Sequence, residues 1–510
     1  MSERVVRAGR TRIALAAVVL VGAAVRLYGI GRDSLWLDEL ITMEFIQRYD
    51  TLELFVVIPL SQPHLPLYYV LLDLWASAFG MSPVALRSFS ALFGIASIPL
   101  FYLAGRELFN DATGLVAALI YALAQVQVYH AQEVRMYTLF AFLALSSLYL
   151  FVRYLRTESR RTAAAYALAT ILLVYSHPFA VFVVAGESAY LAFAVLRGRV
   201  ADLRRAVGTQ AALGLAVLPL VVGALFRFGG GVTLDYIPTP TPQLVIAVVT
   251  GYFARTGIVP ALAYVSVLVG GLLVLAVTDG CFSASLDARR PGRTLRNLRE
   301  RVGFTDRWEV HLLLFWLAGT FLLPLVVSYA LTPVFWPRYT IAASFALYLL
   351  VGYGVSRAKR SHVRLALVVL LLVALVPPTT FYLTTDTREQ WDEATADVEQ
   401  RADRGALVVV ADQVTERAFE YYQTRDDLVV KPINADDAPN GTERTSDAEI
   451  RRKMAGHDEV WVVLSHTEDE DDERIKAIAS DGRRQTWHRE YIDIEVYRYE
   501  GTEADNERVR

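Results

Sequence analysis

Between Leu15 and Leu383 the chain passes repeatedly through apolar runs of about 18 to 20 residues, each long enough as a helix to cross the roughly 30 Å core of a bilayer. Inside lipid every backbone N–H and C=O must be satisfied within the protein, so such runs leave a bundle of helices as the architecture. With 54% hydrophobic residues among 510, the chain is too apolar for an ordinary soluble protein. The opening "MSERVVRAGRTR" is basic and leads straight into an apolar run that ends at Arg26 without a small-residue cleavage site. It reads as a retained first helix rather than a signal peptide. The single cysteine, Cys281, excludes an intrachain disulfide framework.

Charge divides the chain in two. Residues 1–385 carry 32 Lys and Arg against 20 Asp and Glu, a balance of +12; residues 386–510 carry 18 against 33, a balance of −15. The sequence therefore predicts a basic membrane domain over 1–385 and an acidic water-soluble domain over 386–510. In the tail, "ALVVVAD", "LVVKPIN" and "EVWVVLSH" each precede a helix-like run, and "TWHREYIDIEVYRYE" closes as a strand or hairpin. That rhythm predicts a small α/β domain with a partly parallel sheet.

Cytoplasmic loops carry the excess Lys and Arg, which places the N-terminus inside and the loop holding Asp38 and Glu39 outside. If every apolar run before residue 130 spanned, the basic loops 153–161, 197–205 and 288–301 would all fall outside. One run must then lie along the surface, and "HLPLYYVLLDLWASAFG" is the candidate: it is short and carries Asp73 in its middle. A carboxylate at the bilayer centre costs about 2.5–3.5 kcal/mol on insertion scales. Spans are then expected near 13–30, 84–104, 111–129, 137–155, 162–177, 178–196, 206–226, 258–277, 310–329, 339–356 and 364–383, about eleven in all. A second surface helix falls in "PQLVIAVVTGYFAR", and the acidic domain is extracellular. The expected setting is a multi-pass protein of the cell membrane. Asn440-Gly441-Thr442 is a glycosylation acceptor pattern on the outer side.

That topology gathers acids, cations and aromatics at the outer surface from loops far apart in sequence: Arg26, Trp36, Asp38, Glu39, His64, Tyr68, Arg87, Glu133, Arg135, Tyr137, His177, Arg255, Arg338 and Tyr339. Arg and His hold a phosphate through charge-assisted hydrogen bonds, and a carboxylate serves as general base toward a hydroxyl. Each residue also has a structural reading. Asp38 and Glu39 open an amphipathic run and suit a helix N-terminus; arginines at span ends act as anchors; Glu133 pairs with Arg135 or caps a span. Glu187, in mid-span, is either functional or a neutral carboxyl hydrogen-bonded between helices.

"RLYGIGRDSLWLDE", "PHLPLYYVLLDLW", "ALRSFSALFGIASIPLFYLAGRELF", "YHAQEVRMYTLFAFL" and "FWPRYT" follow one another in the order seen in GT-C glycosyltransferases. The chain resembles the branch that holds protein O-mannosyltransferases and aminoarabinose transferases, closely over residues 10–200 and more weakly over 330–350. The resemblance implies a polytopic α-helical GT-C fold with outer surface helices, and transfer of a sugar from a polyprenyl (dolichyl) phosphate to a protein, lipid or glycan acceptor outside the membrane, with inversion. It makes Asp38 the base, Glu39 its partner, His64 a phosphate or acceptor contact, and Arg87 the arginine that begins span two. Protein O-mannosyltransferases have His-Pro-Pro-Leu where this chain has His64-Leu65-Pro66-Leu67, so Leu65 departs from the pattern. Some GT-C members use a divalent cation. Magnesium or manganese is left open here, with Asp38 and Glu133 as its ligands if one binds. Partners are the lipid-linked donor, the acceptor and membrane lipids, not nucleic acid. A transporter of lipid-linked sugars, or a scaffold acting through its tail, remains the alternative; no inverted repeat or broken midplane helix is evident in the sequence.

Overall fold

The helix Asp111–Leu123 breaks at Ala124 and resumes as Gln125–Ala131 after a bend of 60°. No proline causes this break. The carbonyls it frees are satisfied from neighbouring helices: Arg26 donates from Nη2 to Tyr121 O (2.9 Å) and from Nη1 to Ala122 O (2.8 Å), and Thr379 Oγ1 donates to Leu123 O (2.5 Å). An irregular backbone at this depth requires such partners.

The computed structural model describes residues 3–61, 64–228, 237–253, 259–279, 303–304, 306–434, 445–467 and 469–501. Two units emerge: one comprises Met1–Ile30 and Tyr49–Thr385, the other Gly31–Arg48 and Asp386–Arg510. The break at 385/386 falls where the charge balance changes sign. Residues 31–48, read from sequence as part of the membrane domain, instead belong to the second unit. Hydropathy registers the apolar runs on either side of a loop but not the partner the loop packs against.

In the first unit, Ala8–Leu27, Pro83–Leu108, Tyr137–Thr157, Trp308–Ala330 and Ser361–Thr384 are long and apolar enough to cross a bilayer. The bent pair makes a sixth if read as one span, all among the described residues. That is fewer than the eleven spans expected. Arg160–Ser176 and Ala180–Leu196 have 17 residues each and Ala343–Ser356 has 14. At 1.5 Å per residue these rise only about 21–26 Å, less than the hydrocarbon core. Close packing relies on glycine at some crossings: a Cβ on Gly105 would fall 2.7 Å from Gly114 Cα.

The stretch read as a surface helix is the 14-residue helix Pro66–Phe79. Pro66 at its first turn suits the start, where no intrahelical N–H bond is lost. Asp73 accepts a hydrogen bond from the Thr51 hydroxyl. Glu187 is fully buried, with Ser147 Oγ at 2.9 Å and Tyr166 Oη at 2.9 Å from its carboxyl oxygens. This is the interhelical hydrogen bonding left open as its structural reading.

In the second unit the tail carries a five-stranded sheet in the order Val429–Asn434, Leu407–Asp412, Glu459–Leu464, Ile494–Gly501, Arg483–Tyr491. Leu407 pairs with Val429 on one side and Val460 on the other, both in parallel. The last two strands are antiparallel. Apart from Asp412 and Glu459 at their ends the two central strands are apolar, as strands buried on both faces are, and Leu407, Val409, Ile450, Val462 and Ile478 share one core.

Candidate active site

In the first unit, His64 precedes Leu65, whose extended backbone (φ −118°, ψ 150°) leads into the Pro66 helix. Arg135 Nη2 donates to His64 Nε2 at 3.1 Å. A guanidinium has only donors, so His64 accepts through Nε2 and is neutral in this arrangement. Beneath it, Tyr68 Oη and Ser90 Oγ are hydrogen-bonded at 3.1 Å, and Ser90 Oγ donates to Arg135 O at 3.3 Å. The His64 and Tyr69 rings stack with centroids 6.3 Å apart.

A series of rings runs through Tyr137, His177 and Tyr339. Tyr137 lies 4.7 Å from His130 and 5.9 Å from His177, and His177 lies 5.9 Å from Tyr339. The Arg338 guanidinium sits 5.4 Å from the Tyr339 ring centroid. His177 caps the helix Arg160–Ser176, and its Nδ1 accepts from Phe179 N at 3.1 Å. Burial, together with the positive charges of Arg135 and Arg338, holds the His177 imidazole down to about 3. Two guanidiniums thus act on one buried, neutral imidazole. Such a site favours an anion over a further cation.

Glu133 lies in the stretch that leads into the helix Tyr137–Thr157. Its Oε2 lies 2.7 Å from His130 Nδ1, and both side chains are buried. Arg87 is buried and donates to Ile30 O at 3.2 Å. Arg26, expected at the substrate, is fully buried and donates to the carbonyls of Gly22, Tyr121 and Ala122. Its role in this fold is to terminate the broken helix. Arg255 and Asn440 lie outside the described residues.

In the second unit, Leu37–Arg48 forms a helix with Asp38 and Glu39 in its first turn. Negative charge is favoured there, and Glu39 Oε2 accepts from Trp36 N at 3.4 Å as a cap. Glu39 is fully buried and faces Arg388, whose Nη1 lies 3.4 Å from Glu39 Oε2. Arg388 also reaches Asp33, at 3.8 Å from Nε to Oδ2. Asp38 and Trp36 are half-buried. Glu39 thus faces a cation from the tail.

Arg388 and Glu389 were not singled out in the sequence. Glu389 is buried; Leu37 N (3.3 Å) and Trp391 Nε1 (2.6 Å) donate to its Oε2, and His466 Nε2 lies 2.7 Å from its Oε1. Ser90 and Tyr69 likewise complete the first cluster without belonging to the expected set; Ser90 is an ordinary serine in an apolar helix.

Among the described residues no group of three or more His, Cys, Asp or Glu side chains is placed to hold a metal ion. Glu133 engages His130.

Residues 61–226 match the family model described as dolichyl-phosphate-mannose-protein mannosyltransferase. The chain is similar to the apo structure of ArnT from Cupriavidus metallidurans, at TM-score 0.59 and 13% identity, over 96% of this chain and 98% of that one. This chain has the GT-C glycosyltransferase fold. Two further GT-C structures extend the likeness. ArnT from the same organism bound to undecaprenyl phosphate aligns at TM-score 0.52 and 12% identity, covering 95% of this chain and 97% of that one. The archaeal oligosaccharyltransferase AglB from Archaeoglobus fulgidus, in complex with an inhibitory peptide and a dolichol-phosphate, aligns at 0.51 and 14%, covering 97% and 74%. No curated protein sequence matches the chain.

Proposed function

We propose that the protein is a membrane glycosyltransferase that moves a hexose from a polyprenyl phosphate to a hydroxyl of a protein, lipid or glycan acceptor on the outer face of the membrane. The observation that carries this reading is the cluster of Arg135 and Arg338 with neutral His64 and His177, built for a phosphate and lying within a GT-C fold. ArnT and AglB have been solved with undecaprenyl phosphate and dolichol-phosphate, which supports the donor class.

The chemistry follows from the side chains present. The Asp38 carboxylate takes the proton of the acceptor hydroxyl. The acceptor oxygen attacks the anomeric carbon as its bond to the phosphate oxygen breaks, and the electron pair leaves with the phosphate. Arg135 and Arg338 stabilise the charge growing on that oxygen; His64 orients Arg135 and offers Nδ1–H. A single displacement inverts the anomeric centre and needs one base rather than two carboxylates. Tyr68 and Ser90 hold the Arg135 backbone, and Tyr137 and Tyr339 wall the site. Arg87 and Glu133 support it from buried positions.

The bent helix is the feature a transporter would use, because broken helices at depth build transporter sites. Here Arg26 and Thr379 occupy the freed carbonyls. Movement of radiolabelled sugar to an acceptor, rather than of intact lipid across vesicles, tests the enzyme reading.

A further inference from the structure

We propose that Arg388 is a positioning residue for the reaction: the first residues of the tail set the orientation of the acid-pair helix, and with it Asp38. This deepens the glycosyl-transfer reading and rests on Asp38 as base. The tail is then not only an extracellular appendage or acceptor-binding module. Its opening segment holds part of the catalytic machinery.

The contacts run in a consistent direction. Arg388 engages Glu39 and Asp33 with its guanidinium, and its neighbour Glu389 receives the Leu37 N–H. Ser34 Oγ donates to Glu389 O and accepts from Trp391 N at 3.3 Å. Leu35 N donates to Tyr422 Oη at 2.6 Å, and Arg417 pairs with Glu44 at 2.9 Å further along the same helix. Residues 33–44 are thus held at both ends of the acid-pair turn by residues more than 340 positions away.

Glu39 and Asp38 are consecutive on a helix, about 100° apart around its axis. Fixing Glu39 against Arg388 therefore fixes the rotation of the turn and the direction in which Asp38 leaves it. Both Glu39 and Arg388 are buried, so the pair is little screened by solvent. Glu389 in turn is held through Trp391 and His466. A base must stand within hydrogen-bond reach of the proton it removes, and displacement by about 1 Å costs on the order of a hundredfold in rate.

The test uses the full chain in detergent and compares wild type with Arg388→Gln, Arg388→Lys, Glu39→Gln and the double variant Arg388→Gln/Glu39→Gln. Two quantities are read: the kcat and donor KM for sugar transfer, and hydrogen exchange at the amides of 31–48 against those of the apolar helices. Arg388→Gln is expected to lower kcat by about ten- to a hundredfold. Donor KM should stay unchanged, and exchange should rise within 31–48 alone. Arg388→Lys should recover part of kcat, and the double variant should lose no more than the single one. Wild-type kcat in Arg388→Gln, or unaltered exchange at 31–48, would overturn the proposal. So would loss of protection throughout the apolar helices, which marks general unfolding. The exchange measurement does not need turnover. If Asp38→Asn retains full transfer, the assignment of the base falls, while exchange at 31–48 still decides whether Arg388 holds the loop.

Discussion

Arg135 donates to His64 Nε2 across 3.1 Å, joining a loop before the Pro66 helix to one 71 residues later. The bond makes each residue the other's orienting group. Truncating either should loosen the proposed phosphate site. His64→Ala and Arg135→Ala are each expected to weaken binding of polyprenyl phosphate by about ten- to a hundredfold, the worth of a hydrogen bond to a charged group at about 1.5–3 kcal/mol. Arg135→Lys should restore little, because an ammonium cannot serve His64 and a phosphate with a planar fork. Titration of the lipid phosphate into purified protein measures the effect; wild-type affinity in Arg135→Ala would contradict it.

His177 gives the first cluster an acid limit. Its native value lies near 3, below the ordinary 6.5, so below pH 6.5 the unfolded chain binds the proton that the folded chain refuses. Its contribution to stability is whole above 6.5 and is lost as pH falls toward 3. Melting temperature against pH should therefore fall less steeply between pH 6.5 and 4 in His177→Gln than in wild type.

His466 has the opposite sign. Its hydrogen bond to Glu389, helped by the negative charges of Glu389, Asp493 and Asp412 and opposed by burial, raises its value above 6.5. That stabilisation is present below pH 6.5 and is lost as pH rises through the higher native value. His466→Gln should reduce exchange protection of 31–48 at pH 6 and leave it little changed at alkaline pH. An equal loss at both would show that protonation of His466 plays no part.

Arg26 tests the fold rather than the chemistry. Arg26→Met removes the donors that close the broken helix, leaving the Ala122 and Tyr121 carbonyls unsatisfied in a buried place. Each unsatisfied group costs about 1–3 kcal/mol. The folded yield and melting temperature should drop, while the fraction that folds keeps wild-type affinity for polyprenyl phosphate. A selective loss of affinity would return Arg26 to the substrate site.

Much of this arrangement is legible in the chain. Apolar runs declare the bundle, Asp73 marks a helix unsuited to spanning, and alternation of strand-like and helix-like runs announces the sheet of the tail. The break at Ala124 is hidden because an alanine flanked by apolar residues carries no breaker signal, and its cause is the donor that Arg26 brings from another helix. Arg388 is hidden for a related reason. An arginine just past an apolar run reads as an interfacial anchor, and only the fold shows Glu39 opposite it. His64, Arg135, Tyr137, His177 and Tyr339 stand out in the sequence because loops between spans hold few residues, so a polar one there is conspicuous. Ser90 was missed because one hydroxyl within a helix does not.

The central claim is tested most directly by incubating purified wild type and Asp38→Asn, in the same detergent, with radiolabelled polyprenyl-phosphate mannose or glucose and a lysate of acceptors. The account predicts label on an acceptor with wild type, and transfer reduced by about a hundredfold or more with Asp38→Asn, the loss expected for removal of a general base, while the donor still binds both proteins. Equal transfer by the two proteins would contradict it.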